Sequence, residues 1–99
     1  MMVITSNIES IRKLCNAHYV ETMYVFGSAL NSNFNDESDI DFLVKFKEID
    51  LAEYFNNYMD FKLKLESLVG RKVDLLEEQT LKNPILIQSI NRSKEMVYG

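Results

Sequence analysis

Asp39 and Asp41 stand two residues apart in a stretch, Asp39-Ile40-Asp41-Phe42-Leu43-Val44-Lys45-Phe46, that alternates between two kinds of position. On a strand this spacing puts both carboxylates on one face, roughly 6.6 Å apart along the backbone. At an effective dielectric of about 20, two such charges repel by about 2.5 kcal/mol. A divalent cation offsets that repulsion, and magnesium takes carboxylate oxygens together with substrate phosphates. A third acid, Asp74, sits in the run Lys72-Val73-Asp74-Leu75-Leu76. Two ions held by such carboxylates form a clamp for in-line phosphoryl or nucleotidyl displacement. Read alone, Asp39-x-Asp41 fits a strand start followed by a solvated face better than a metal site.

Gly27-Ser28 adds a second chemistry. Gly27 closes an apolar run and lets the backbone turn tightly and approach a ligand. Ser28 then opens a helical turn, Ser28-Ala29-Leu30-Asn31, where a hydroxyl and free backbone N–H groups suit a phosphate. A plain strand-ending turn would use the same pair. A phosphate cradle and a carboxylate pair in one short unit are a rarer combination.

The elements that must position these residues follow from periodicity. A helix is expected from Ser6, with Ser6 and Glu9 at capping-box spacing and Ile8, Ile11, Leu14 and Cys15 on one face. Residues 22–26 read as a strand ending at Gly27, and 31–37 as a turn-rich loop. In the strand 39–46, Ile40, Phe42, Val44 and Phe46 share the core face, while Asp39, Asp41, Leu43 and Lys45 share the other. A helix over about 51–69 carries the stripe Leu51, Tyr54, Phe55, Tyr58, Phe61, Leu65, Leu68 and Val69, with Asp50 as its N-cap and Gly70 just past its end. A strand at 72–76, a short helix opened by Asn83-Pro84 and an edge strand at 94–98 complete the chain.

Connection lengths arrange the strands. Only about eleven residues join the first two, which is marginal for a parallel crossover and favours an antiparallel pair. A whole helix separates the second from the third, which permits a right-handed parallel crossover and sets Asp41 beside Asp74 on adjacent strands. The expected class is α/β (α+β): a small mixed sheet with helices packed mainly on one face.

Phe26-Gly27-Ser28, then Ser38-Asp39-Ile40-Asp41-Phe42-Leu43-Val44, then Arg71-Lys72-Val73-Asp74-Leu75-Leu76 resembles the signature of the polymerase-beta-like nucleotidyltransferases. The likeness runs through nearly the whole chain, to Glu95-Met96-Val97-Tyr98, and is nearest to the minimal members that lack added domains. The resemblance implies that Gly27 and Ser28 bind the terminal phosphates of ATP or another nucleoside triphosphate. It implies that Asp39 and Asp41 hold two magnesium ions, for which manganese could substitute. Asp74 would share the catalytic metal and help activate the acceptor hydroxyl. Many relatives carry arginines just after Gly-Ser; here Ala29, Leu30, Asn31 and Ser32 stand there, leaving Lys45, Lys47 or Arg71 to supply the cation.

Length and composition bound the rest. Ninety-nine residues suit one domain spanning 1–99, and 46% hydrophobic with three Gly and one Pro excludes a disordered chain. Fifteen acidic against eleven basic residues, net −4, make nonspecific nucleic-acid binding unexpected. No apolar run reaches the roughly 18 residues of a membrane span. The N-terminus shows no secretory pattern, and Cys15 is alone, so a cytoplasmic setting is expected.

Blander roles suit the remaining conspicuous residues. His18 fits a helix end, Cys15 the core, Tyr54, Phe55, Tyr58 and Phe61 helix packing with one or two exposed members free to form a partner surface, and Lys62, Lys64 and Glu66 a solvated face. So small a chain has little material to enclose an acceptor. By resemblance, minimal nucleotidyltransferases often act as antitoxins beside a helical HEPN-type ribonuclease toxin, and some transfer AMP to its tyrosine. That is the expected function. A non-catalytic module that masks its partner, and a small-molecule (antibiotic) nucleotidyltransferase, are the alternatives.

Overall fold

Local periodicity dictates most of the elements in the computed structural model, which describes residues 2–27 and 39–99. In chain order they are α1 (Met2–Ser6), α2 (Ile8–Ala17), β1 (Val20–Phe26), β2 (Ile40–Phe46), α3 (Leu51–Val69), β3 (Val73–Glu77), a 3-10 turn (Glu78–Thr80), α4 (Pro84–Ser93) and β4 (Glu95–Tyr98). The sheet order is β3-β2-β1-β4. β1 pairs antiparallel with β2 and β2 pairs parallel with β3, the arrangement that the connection lengths favour; β4 adds antiparallel to the other side of β1.

Alternation along β2 sets the layers. Ile40, Phe42, Val44 and Phe46 are buried and join Val73 and Leu75 of β3 and Met23 and Val25 of β1 on one face. Ile4 of α1, Ile11 and Cys15 of α2, and Phe61, Leu65 and Val69 of α3 cover that face. Each large side chain removed from water there contributes about 1.5–3 kcal/mol. Phe46 meets Tyr54 and Phe61 edge-on, with ring centroids 5.7 and 6.0 Å apart. The opposite face is only partly covered: Ile90 of α4 packs with Phe26 and Leu43. The helices therefore lie mainly on one face, and α4 is the exception.

α4 opens as its Asn-Pro pair predicts, with Asn83 Oδ1 accepting from the Ile85 and Leu86 amides at 3.0 and 3.4 Å. α3 ends at Gly70, whose φ of 72° is the left-handed conformation that a glycine reaches without strain. Asp50 caps α3 through its backbone carbonyl, with no bond from its carboxylate.

Three local expectations are corrected. The first helix does not start at a Ser6–Glu9 capping box. The chain forms two helices broken at Asn7, Ser6 ends the first, and the Asn7 amide side chain donates to the Val3 carbonyl at 2.8 Å. Leu51 and Phe55 are 89% and 69% exposed rather than part of the buried stripe; at 100° per residue Phe55 lies about a quarter turn from the line through Phe61 and Leu65. Glu66 is not a solvated residue, because its carboxylate accepts a hydrogen bond from the Val73 amide. The expected loop at 31–37 lies outside the described residues.

Candidate active site

β2 and β3 each carry an acid at their second residue, and the parallel register sets Asp41 directly opposite Asp74. Neighbouring strands run about 4.8 Å apart, so the two carboxylates arise side by side. Alternation turns both away from the helix-covered core, because Phe42 and Leu75 point into it. Asp41 is half-buried and Asp74 exposed. Asp39 is exposed and stands one residue before β2. The structure thus pairs two of the three acids across strands and leaves Asp39 at the mouth of β2. Among the described residues, no three His, Cys, Asp or Glu side chains gather into a group able to hold a metal.

Gly27 completes this corner. Phe26 is the register partner of Asp41, and the chain turns at Gly27 with φ 75°. A Cβ built there would overlap Asp41 Oδ2, so the carboxylate lies against the glycine backbone in space that a side chain would fill. Ser28 lies outside the described residues. Magnesium needs only one or two carboxylates plus phosphate oxygens, so the facing Asp41 and Asp74 fit it as a donor set.

The charge of Asp74 reaches the helix layer. Tyr58 has its hydroxyl pKa raised first by burial and then by the negative charges of Glu77 and Asp74. That hydroxyl donates to the Leu75 carbonyl at 2.5 Å, and the Tyr54 hydroxyl donates to the Glu77 carboxylate. Burial, followed by the Glu77 hydrogen bond, raises the Tyr54 pKa as well. Both phenols therefore stay protonated as donors at neutral pH. Both rings also pack against the core, as their place on the helix stripe predicts. Their hydroxyls, at helical spacing opposite a strand, were the signal for this second role.

The cation expected to replace the loop arginines is narrowed. Lys45 pairs with Glu21 at 3.3 Å, and it and Lys47 stand four and six residues beyond Asp41, roughly 13 and 20 Å along the strand. Lys47 lies beyond the Val20↔Phe46 register pair, at the far end of the sheet, where it lines a cavity of about 580 Å³ with Arg12. Neither lysine is placed to serve the acids. Arg71, just before β3, is at the correct end of the sheet.

The comparisons place this fold in a nucleotidyl-transfer class of protein. A family model for "Polymerase beta, Nucleotidyltransferase" matches residues 9–99. A Methanocaldococcus jannaschii protein, provisionally named a protein adenylyltransferase, is 30% identical over 99% of both chains. Protein adenylyltransferase MntA of Thermococcus cleftensis is 34% identical over 85% of this chain and 87% of its own. A solved minimal nucleotidyltransferase, so named provisionally, superposes with a TM-score of 0.76 at 30% identity, over 93% of this chain and 90% of that one. A solved complex of a tri-AMPylated Shewanella oneidensis HEPN toxin with its MNT antitoxin shares the fold, with a TM-score of 0.66 at 22% identity, over 96% of this chain and 71% of that one. The chain belongs to the polymerase beta nucleotidyltransferase family, and it is an enzyme of that class.

Proposed function

We propose that this chain, as one domain spanning 1–99, transfers AMP from ATP to a tyrosine hydroxyl of a HEPN-type partner protein, and that it is the antitoxin of that pair. The observation that carries this reading is the register pairing of Asp41 with Asp74, with Gly27 leaving room for the Asp41 carboxylate. The adenylyltransferase names of its relatives support the reaction, and the HEPN complex that shares its fold supports the partner. Among the described residues no helix is long and apolar enough to cross a membrane, which is compatible with a cytoplasmic setting.

Asp39, Asp41 and Asp74 would hold magnesium, with manganese as a substitute, and the ions would offset the negative charge that builds on the phosphates during transfer. The acceptor phenol oxygen bonds to the α-phosphorus as the bond to pyrophosphate breaks. Asp74 takes the phenol proton, and its exposure on an open face suits it to a group delivered from outside. Gly27 brings the backbone close to the phosphates, and Ser28 gives its hydroxyl to them. A docked protein supplies the acceptor and its orientation.

Intact-mass spectrometry of the co-expressed pair is the test. Wild type is expected to add AMP to the partner, and replacing Asp39 and Asp41 together by Asn is expected to eliminate the addition while the complex persists. A partner left unmodified, yet neutralised equally by wild type and double variant, would establish masking in place of catalysis.

A further inference from the structure

We propose that Tyr58 and Glu66 are positioning residues for Asp74, gripping the outer edge of β3 so that its carboxylate stays opposite Asp41. The inference rests on the reading of Asp41 and Asp74 as one site. β3 is an edge strand of only five residues: one side pairs with β2, and the other has no neighbouring strand among the described residues. Backbone groups on such an edge are unpaired by the sheet itself. Two of them are taken by α3. The Val73 amide donates to Glu66 Oε2 at 3.0 Å, and the Leu75 carbonyl accepts from the Tyr58 hydroxyl at 2.5 Å. These bonds fall on the residues immediately before and after Asp74.

Their placement matters because a strand has a period of two. A slip of one residue would turn Asp74 into the apolar core and Leu75 out to the acid face. The ladder to β2 resists that slip from one side only. α3 resists it from the other, and α3 is itself anchored: the Tyr58 ring meets Phe46 with centroids 6.5 Å apart, and Phe61 and Leu65 between the two clamp residues are fully buried. Tyr54 adds a third tie at the strand's end, through Glu77. A group that orients a ligand-bearing element acts on metal affinity without touching substrate.

The probe is Mn²⁺, titrated by calorimetry into folded wild type, Tyr58→Phe, Glu66→Ala, Glu66→Gln and Asp74→Asn, with hydrogen exchange followed over 72–77. Tyr58→Phe and Glu66→Ala should bind Mn²⁺ about tenfold more weakly, the low end for supporting contacts around a metal. Glu66→Ala should also exchange the Val73 amide faster. Glu66→Gln keeps a side-chain carbonyl that accepts from Val73, so it should restore both. A purely structural role would lower the melting temperature and leave the affinity of the folded protein unchanged. Wild-type Mn²⁺ affinity in Tyr58→Phe and Glu66→Ala, with binding lost in Asp74→Asn, would overturn the positioning role and leave the site reading standing. Undiminished binding in Asp74→Asn would overturn the site reading and the positioning role together. Should Tyr58→Phe fail to fold, the Glu66 pair decides the matter alone.

Discussion

His18 Nε2 and Asp60 Oδ2 lie 2.6 Å apart and join α2 to α3 across 42 residues of sequence. The other ring nitrogen, Nδ1, lies 2.9 Å from the Leu14 carbonyl, so the ring links the last turn of α2 to Asp60. Lys64 meets the same Asp60 oxygen at 2.9 Å, and the His18 ring lies against Phe61.

That contact has an acid limit. The His18 hydrogen bond, and then the Lys64 one, lower the Asp60 pKa below its ordinary 3.8. A carboxylate depressed in the fold stabilises it above the unfolded value, and this contribution is lost as pH falls from about 4 through the folded pKa. Wild type should therefore lose stability over that window more steeply than Asp60→Asn. Denaturant melts at a series of acid pH values measure the difference, and parallel curves would exclude it.

Gly27→Ala should be costly for two reasons. Its φ of 75° is strained for any residue with a Cβ, and that Cβ would overlap Asp41 Oδ2. We expect a loss of about 1–3 kcal/mol from the strain, together with weaker Mn²⁺ binding as the carboxylate is displaced. A chemical melt at wild-type stability would show that the corner relaxes freely.

Asp74→Asn should have the opposite effect on the metal-free protein. It removes one of two like charges that face each other on adjacent strands, which should stabilise the fold by up to about 1 kcal/mol. The same change should abolish the gain in melting temperature that millimolar Mn²⁺ gives wild type. A variant less stable than wild type without metal would mean that Asp74 serves the fold instead.

Cys15 should be inert in the native state. Burial pushes its thiol from an ordinary 9.0 up to about 12. A group raised in the fold stabilises it below its unfolded pKa, and the contribution disappears as pH rises from about 9 to about 12. Iodoacetamide should label Cys15 at neutral pH only after unfolding; rapid labelling of native protein would contradict the burial.

What could be read from the chain was of short range. The period of two in β2, the 3.6-residue period of α3, the Asn83-Pro84 start and the Gly70 stop each depend on neighbours within a few residues, so composition and spacing specify them. The facing of Asp41 and Asp74 also followed, because a helix-length connection leaves few ways to lay β3 beside β2. Roles set by distant partners, and positions set by the exact angle or end of an element, are not legible in the same way. Glu66 looked like part of a charged surface until β3 brought the Val73 amide to it. His18 does sit at the end of α2, against the Leu14 carbonyl, and only the packing of α3 adds Asp60 to it. Phe55 had the right residue type for the core and the wrong angle on its helix. Lys45 and Lys47 were offered as phosphate partners, yet strand geometry carries both to the far end of the sheet. A backbone pattern repeats along the chain and can be counted, whereas a hydrogen bond across a fold exists only once packing has fixed which surfaces meet.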